Sequence, residues 1–105
     1  MTPSLDGKAV LVTGGAGGLG RAIIEALVRE GARLVVSDVD AKGGSAICSE
    51  LADRGIDVRF VAGDVTQSHD VQRMVDTAVA SFGQLDVAIN NAGIGVDLTT
   101  AIPDY

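Results

Sequence analysis

Apolar residues along this chain follow two alternating patterns, short continuous runs and longer stretches with a helical period. Four runs bounded by glycine or polar residues predict buried strands. The three stretches between them repeat apolar residues at spacings of three and four and predict helices, most clearly from Val71 to Phe82. The chain therefore predicts strands and helices in strict alternation.

Turn and capping residues set the predicted bounds of these elements. Strands are expected over residues 8–12, 33–37, 57–62 and 85–90, and the first two helices over residues 18–30 and 41–54. The third helix is expected to run from a cap at Ser68 to Gly83, with Asp70 at its positive end, and Asp40 is the expected cap of the second. The expected inner faces comprise Leu19, Ile23, Ala26 and Leu27, then Ile47, Cys48, Leu51 and Ala52, then Val71, Met74, Val75, Ala78, Val79 and Phe82.

This alternation predicts an α/β fold with a doubly wound parallel sheet. Right-handed crossovers put the first two helices on one face and the third on the other, which gives a Rossmann-like strand order of 3-2-1-4. The second face then has only one helix, although parallel strands normally have both faces covered. The apolar fourth strand also has no neighbouring strand beyond it. Residues 1–105 are therefore predicted to form one incomplete domain, half of such a sheet.

Composition and charge narrow the functional classes. The formal net charge is -6 and Lys and Arg do not cluster, which argues against a nucleic-acid partner. No apolar stretch is long enough for a membrane span and the first residues lack a signal-peptide pattern, so we expect no membrane association and a cytoplasmic protein. Cys48, the single cysteine, is expected to fill the core, and His69, the single histidine, to be solvated. No metal site is predicted.

The eight residues from Thr13 to Gly20, Thr-Gly-Gly-Ala-Gly-Gly-Leu-Gly, are the strongest candidate for binding chemistry. They lie between a strand and a helix, where free amides at the helix N-terminus and the helix dipole favour a phosphate. Glycine has no Cβ to hold a pyrophosphate away from the main chain. Two registers are open, Gly15-x-Gly17-x-x-Gly20 and Gly14-x-x-x-Gly18-x-Gly20, and a purely structural turn is the alternative.

Asp38 follows the second strand, where a dinucleotide fold positions the acid that binds the adenosine ribose hydroxyls. Its charge would also repel the extra phosphate of NADP, by roughly 4 kcal/mol for unit charges about 4 Å apart near a protein surface. No Lys or Arg lies in the glycine turn to offset that repulsion, so NAD is the expected cofactor. The alternative role for Asp38, a cap for the next helix, fits Asp40 better.

Two further polar motifs follow strands, Asp64-Val65 after the third and Asn90-Asn91-Ala92-Gly93 after the fourth. Ligands bind at the carboxyl ends of strands in open α/β sheets, although Asp, Asn and Gly also favour turns. Together with the glycine turn, these motifs resemble the N-terminal half of a short-chain dehydrogenase/reductase over nearly the whole chain. The resemblance favours the glycine register that begins at Gly14.

The resemblance implies a role for each motif. The family often has a hydroxyl or basic residue where this chain has Gly17, a departure that would cost a phosphate contact and not the fold. The paired asparagines would also tie neighbouring strands together. The implied cofactor-binding residues are Gly14, Gly18, Leu19 and Gly20 at the pyrophosphate, Asp38 at the adenosine ribose, Asp64 and Val65 at the adenine, and Asn91 and Gly93 along the cofactor.

The reaction that the resemblance implies is hydride transfer between the nicotinamide and an alcohol or carbonyl carbon. It uses a tyrosine as the acid/base, a lysine four residues later, a serine and an asparagine, all well beyond the Asn-Asn-Ala-Gly motif. Tyr105, the only tyrosine here, lies too soon after that motif, so no catalytic residue is assigned and these 105 residues alone are predicted to be inactive. An alcohol or carbonyl substrate and a homo-oligomer are expected only with the remaining half of the fold.

A non-catalytic dinucleotide-binding module or a truncated remnant is the open alternative, because it would share every motif. A methyltransferase is disfavoured by the asparagine motif and by Thr13, since an acidic residue usually stands just ahead of the glycines of its turn. An ATP-binding P-loop is excluded because no Gly-Lys-Ser/Thr follows the turn.

Overall fold

The structure is a computed structural model that describes residues 4–91. Its four strands form one parallel sheet in the order β3-β2-β1-β4, so the predicted doubly wound α/β fold and its strand order are confirmed. Observed and predicted bounds coincide or differ by at most two residues. The elements are β1 (Ala9–Thr13), α1 (Gly18–Arg29), β2 (Arg33–Asp38), α2 (Ala41–Asp53), β3 (Val58–Ala62), α3 (Ser68–Phe82) and β4 (Val87–Asn90).

Side chains that alternate along the strands divide the core into two clusters, one on each face of the sheet. On β1, Val10 and Val12 pack with residues of α1 and α2, whereas Ala9 and Leu11 pack with residues of α3. Cys48 belongs to the first of these clusters, as predicted. Each face is therefore covered by the helices that right-handed crossovers predict for it.

The buried side of α1 differs from the predicted one. A Cβ on Gly20 would overlap the carbonyl oxygen of Gly14, so the helix can approach the glycine turn this closely only through Gly20. That contact sets the rotation of α1 and turns Leu19 away from the core. The buried residues are Gly20, Ile24 and Leu27, and the predicted core positions Leu19 and Ala26 are exposed.

Two adjacent glycines near the start of α2 permit close contacts that outweigh their low helix propensity. A Cβ on Gly44 would overlap the ring of Phe60 on β3, so α2 packs onto the sheet at this glycine. Asp40 caps the helix as predicted, because its Oδ1 accepts a hydrogen bond from Gly43 N at 2.9 Å. The buried residues of α2 are Gly44, Cys48 and Leu51, and Ala52, which was expected among them, is exposed.

The prediction for the start of α3 is wrong by one residue. Gln67, not Ser68, is the N-cap residue, and it makes no side-chain capping hydrogen bond. Asp64 Oδ1 accepts hydrogen bonds from Thr66 N and Thr66 Oγ1, so the loop turns early and Ser68 becomes the first helical residue. In the first turn, the Asp70 carboxylate accepts a hydrogen bond from Asp64 N at 3.0 Å. Five of the six residues predicted for the inner face of α3 are buried, and the sixth, Val79, is half-buried against the same cluster.

β4 lies at one edge of the described sheet and begins two residues later than predicted. Asp86 Oδ2 accepts a hydrogen bond from Ala9 N at 2.8 Å, and Asp86 N donates to Ala9 O at 2.9 Å. The Asp86 carboxylate therefore accepts the hydrogen bond from Ala9 N that a carbonyl of a paired strand would otherwise accept. The ladder between β1 and β4 accordingly starts at Val87. Val87 is exposed, and within residues 4–91 no further strand pairs with β4.

Candidate functional site

A cavity of about 600 Å³ lies at the carboxyl ends of β1, β2 and β3. The glycine turn forms one wall, the residues after β2 form the second, and the residues after β3 form the third. The carboxyl edge of an open α/β sheet is where such folds bind ligands. The predicted site residues Gly14, Gly18, Leu19, Gly20, Asp38, Asp64, Val65 and Asn91 all line this cavity, and Gly93 lies outside the described residues.

The structural reasons for glycine differ among the positions of the turn. Gly14 has a φ of 69°, a left-handed conformation that favours glycine. Gly20 is required by its close approach to Gly14. Gly18 has neither reason, because its φ is not positive and, apart from its chain neighbours and the backbone of its own helix, no heavy atom lies within 4 Å of the place a Cβ would take. Gly18 therefore leaves open space at the start of α1, on the wall of the cavity.

The N-terminus of α1 meets this cavity without a side-chain cap. Gly17 is the N-cap residue, and the first helical hydrogen bond runs from Arg21 N to Gly17 O at 2.9 Å. The amides of residues 18–20 precede that bond, and the positive end of the helix dipole adds to them. The first turn contains no acidic residue. This arrangement can bind an anion.

Asp38 stands on the second wall, where two backbone amides hold its carboxylate. Its Oδ2 accepts a hydrogen bond from Ala16 N at 2.9 Å, and its Oδ1 accepts one from Asp40 N at 2.9 Å. A carboxylate has about two acceptor positions on each oxygen, so each oxygen retains capacity for a ligand. The carboxylate thus links the end of β2 to the glycine turn, while Asp40 caps α2.

The third wall combines a carboxylate with an apolar side chain. The two hydrogen bonds from Thr66 hold the pKa of Asp64 below its usual range, so Asp64 is ionised at neutral pH. Val65 is buried in the cluster beneath α3 and also lines the cavity. A hydrogen-bond acceptor beside an apolar surface suits a flat heterocycle that carries an amino group.

The two asparagines after β4 hold β1 and the glycine turn. Thr13 Oγ1 donates a hydrogen bond to Asn90 Oδ1 at 3.0 Å, which crosses between neighbouring strands. Asn91 Nδ2 donates to Gly14 O at 3.1 Å and so fixes the carbonyl of the glycine with positive φ. The expected tie between strands is therefore present, and Asn91 also positions the turn.

Ser37, Val39 and Asp40 line the cavity but were not among the predicted site residues. Val39 is 72% exposed on one rim, and Leu19 is 68% exposed on another. Large apolar side chains left exposed beside a cavity are suited to contact a ligand. A sequence signal could have identified Val39, because it is an apolar residue between two acids directly after a strand. Ser37 only ends an apolar run beside Asp38, which does not by itself indicate a binding residue.

Other candidate chemistry is limited in the part of the chain that the structure describes. No cluster of three or more His, Cys, Asp or Glu in residues 4–91 could hold a metal ion. None of the described helices is both long enough and apolar enough to cross a membrane. His69 is exposed, with its Nε2 3.2 Å from Asp70 Oδ1. Burial raises the pKa of the Cys48 thiol to about 11, so the thiol is protonated at neutral pH.

A family model described as short chain dehydrogenase matches residues 8–104. The match includes the glycine turn, Asp38 and the asparagine motif. The chain belongs to the short-chain dehydrogenase family. The resemblance inferred from the motifs is therefore confirmed.

Relatives and solved structures of this family match the chain over most of its length. The chain is 47% identical over 94 residues to a 3-alpha-(or 20-beta)-hydroxysteroid dehydrogenase of Mycobacterium tuberculosis. The aligned region covers 90% of this chain and 35% of that protein. A short chain dehydrogenase structure from Mycobacterium smegmatis matches with a TM-score of 0.81 and 39% identity, over 89% of this chain and 40% of that one. A family structure from Burkholderia phymatum in complex with NAD matches with a TM-score of 0.77 and 33% identity, over 80% of this chain and 30% of that one. The chain spans about a third of the length of the curated relatives it matches.

Proposed function

We propose that this chain binds NAD in the cavity, as the cofactor-binding part of an oxidoreductase that acts on alcohols or carbonyl compounds. The observation that carries the proposal is a single cavity with an uncapped helix N-terminus on one wall and an anchored carboxylate on another. A dinucleotide requires an anion site for its pyrophosphate and hydrogen-bond acceptors for its ribose hydroxyls. The cavity offers both.

The pyrophosphate is assigned to the glycine turn. Gly14 and Gly20 give the turn its shape, the amides of residues 18–20 precede the first helical hydrogen bond, and the open space at Gly18 lets a phosphate approach the main chain. Leu19 would cover the bound phosphates with its exposed side chain. Gly17 provides no side-chain contact, so binding depends on main-chain amides and the helix dipole.

The adenosine half is assigned to the other two walls. Asp38 has acceptor capacity left on both oxygens, which suits the two neighbouring hydroxyls of a ribose. Asp64 and Val65 would hold the adenine, with the carboxylate near its amino group. Asn91, which already holds the turn, and Gly93 are proposed to lie along the cofactor.

The same carboxylate underlies the proposed preference for NAD. Its charge opposes a phosphate on the ribose, and a difference of about 1.4 kcal/mol is tenfold in affinity. The only cation in the first turns of α1 is Arg21, whose guanidinium is already paired with the carboxylates of Glu25 and Glu50. Family structures in complex with NAD and with NADH support a nicotinamide dinucleotide as the cofactor.

Bound NAD would supply a hydride acceptor at its nicotinamide ring. The residues of this chain would bind and orient the dinucleotide, and none of them is assigned to the chemical step. We expect residues 1–105 alone, as one cofactor-binding half-domain, to bind without turnover. For the whole protein, an alcohol or carbonyl substrate, a homo-oligomeric state and a cytoplasmic location are part of the proposal.

Titration calorimetry of the purified protein with NAD and NADP tests the binding proposal. We expect NAD to bind at least tenfold more tightly than NADP, and a protein that binds neither at millimolar concentration would contradict the proposal. Formation of NADH with a panel of secondary alcohols tests the enzymatic part. Binding of NAD by the full-length protein without any turnover would instead favour a dinucleotide-binding module without chemistry.

A further inference from the structure

Ser37 on β2 carries a buried hydroxyl that the fold does not use. The residue is 1% exposed, and its Oγ has no hydrogen-bond partner among the described residues. The three preceding strand residues, Leu34 to Val36, are apolar and fully buried. A buried hydroxyl without a partner is destabilising, whereas a small apolar side chain at the same position would carry no such cost. The hydroxyl therefore calls for an explanation other than packing.

The position of Ser37 in the sheet places it in the floor of the cavity. In register it lies between Thr13 on β1 and Val61 on β3. Successive side chains on a strand point to opposite faces of the sheet. Ser37 therefore lies on the face opposite to that of Val36, which is the face covered by α3 and shared with Val35. The hydroxyl of Thr13, on the same face, is already bonded to Asn90. Ser37 thus lies between the wall formed by the glycine turn and the wall formed by the residues after β3.

We propose that the Ser37 hydroxyl is a binding group for the nucleoside half of the dinucleotide. The inference rests on the proposed function, because Asp38 and the residues after β3 are the walls assigned to the adenosine. A serine hydroxyl reaches three staggered positions by rotation about one bond. No hydrogen bond within the described residues has to break when it turns toward a ligand. It then donates a hydrogen bond to a nitrogen or oxygen of the nucleoside.

The test compares Ser37→Ala with the unaltered full-length protein by titration calorimetry against three ligands. NAD and ADP-ribose both contain the adenosine half, whereas nicotinamide mononucleotide lacks it. We expect Ser37→Ala to bind NAD and ADP-ribose roughly five- to tenfold more weakly, the equivalent of one hydrogen bond, and to bind the mononucleotide unchanged. Its melting temperature should be equal or higher, since an unpaired buried hydroxyl is removed.

Two further variants sharpen the comparison. Ser45→Ala removes an exposed serine from α2 and should leave the affinity for all three ligands unchanged, with at most a small rise in melting temperature because alanine favours a helix. Ser37→Cys keeps the size of the side chain with a weaker donor, and its affinity for ADP-ribose should fall between those of serine and alanine.

The outcomes separate this inference from the function on which it rests. Unaltered protein that binds neither NAD nor ADP-ribose would overturn both. Normal binding by the unaltered protein together with unchanged affinity of Ser37→Ala would overturn the role of Ser37 alone, and small size would then account for the serine. An equal loss for all three ligands would also overturn it, because the effect would then be a general distortion of the cavity.

Discussion

Asp38 Oδ2 accepts a hydrogen bond from Ala16 N at 2.9 Å, so the acid at the end of β2 holds the middle of the glycine turn. The second oxygen accepts from Asp40 N and fixes the start of the connection to α2. The residue proposed to bind the ribose therefore also determines the shape of the neighbouring wall. Its removal should affect the pyrophosphate site as well as the ribose site.

The first prediction concerns Asp38→Ala and Asp38→Asn. The alanine variant loses both amide contacts, and we expect it to be destabilised by about 1.5–3 kcal/mol and to bind NAD more than tenfold more weakly. The asparagine variant keeps one acceptor oxygen and loses the charge, so it should be less destabilised and should shift the NADP-to-NAD affinity ratio toward NADP. Urea denaturation and calorimetry measure both effects. Asp53→Asn, an exposed change on α2, is the control.

The second prediction contrasts two glycines in one helical turn. Gly20→Ala should be destabilised by about 1–3 kcal/mol or more, because its Cβ would overlap the Gly14 carbonyl oxygen and lie 2.8 Å from the Gly15 Cα. Gly18→Ala should be as stable as the unaltered protein, or more stable by up to about 1 kcal/mol, since a Cβ meets nothing there and alanine favours a helix.

Affinity should separate these two variants in a second way. The added methyl group of Gly18→Ala occupies the surface assigned to the pyrophosphate, so its affinity for NAD should fall at least tenfold without loss of stability. Full affinity in a stable Gly18→Ala protein would argue that the phosphate does not approach this glycine.

The third prediction concerns the contact between α2 and β3. Gly44→Ala should be destabilised by about 1–3 kcal/mol although alanine is the better helix former, because its Cβ would overlap the Phe60 ring. Phe60→Leu in the same protein should restore part of that loss by making room. Thermal denaturation of the two single variants and the double variant gives the coupling between the positions. Purely additive effects would show that the contact does not limit position 44.

The fourth prediction concerns acid stability. Arg54 and Arg21 hold the pKa of Glu25 at about 2, below its usual value near 4.5. The two hydrogen bonds from Arg54, the C-cap residue of α2, join α1 to the end of α2, whereas the bond from Arg21 lies within α1. Because the pKa is lower in the folded protein than in the unfolded chain, this stabilisation is present above about pH 4.5 and is lost as the pH falls toward 2.

Measurement of the free energy of unfolding between neutral pH and pH 2 tests the role of Glu25. Glu25→Gln should lose less stability than the unaltered protein over the acid range, since its side chain does not titrate. The difference between the two proteins should shrink in about 1 M salt, where screening acts over about 3 Å. Identical pH profiles would show that the carboxylate adds nothing to stability.

Much of the fold was predictable because its determinants are local. The period of α3, the cap at Asp40 and the left-handed glycines at the helix ends all act within a few residues. The rotation of α1 was not predictable, because it depends on a contact between Gly20 and the backbone of the turn. The late start of β4 likewise depends on Asp86 and Ala9, which are far apart in the chain.

The site was predictable as a set of residues but not as a set of contacts. The motifs after β1, β2 and β3 line one cavity because parallel strands bring their carboxyl ends to one edge. The bond from Ala16 N to Asp38 has no sequence signature, since every residue except proline carries a backbone amide. Ser37 was missed for a related reason, because a serine in a strand is informative only once its lack of a partner is known.

The burial of Cys48 between α2 and the sheet makes its thiol a chemical reporter of local opening. Alkylating reagents react with the thiolate, which is scarce for a thiol with a pKa near 11 and is also shielded in the closed protein. The rate of labelling should therefore follow how often α2 lifts from the sheet. Because the chain has a single cysteine, labelling followed by mass spectrometry would report on that helix alone. Slower labelling with NAD present would show that a ligand on the neighbouring loop reduces the opening of α2.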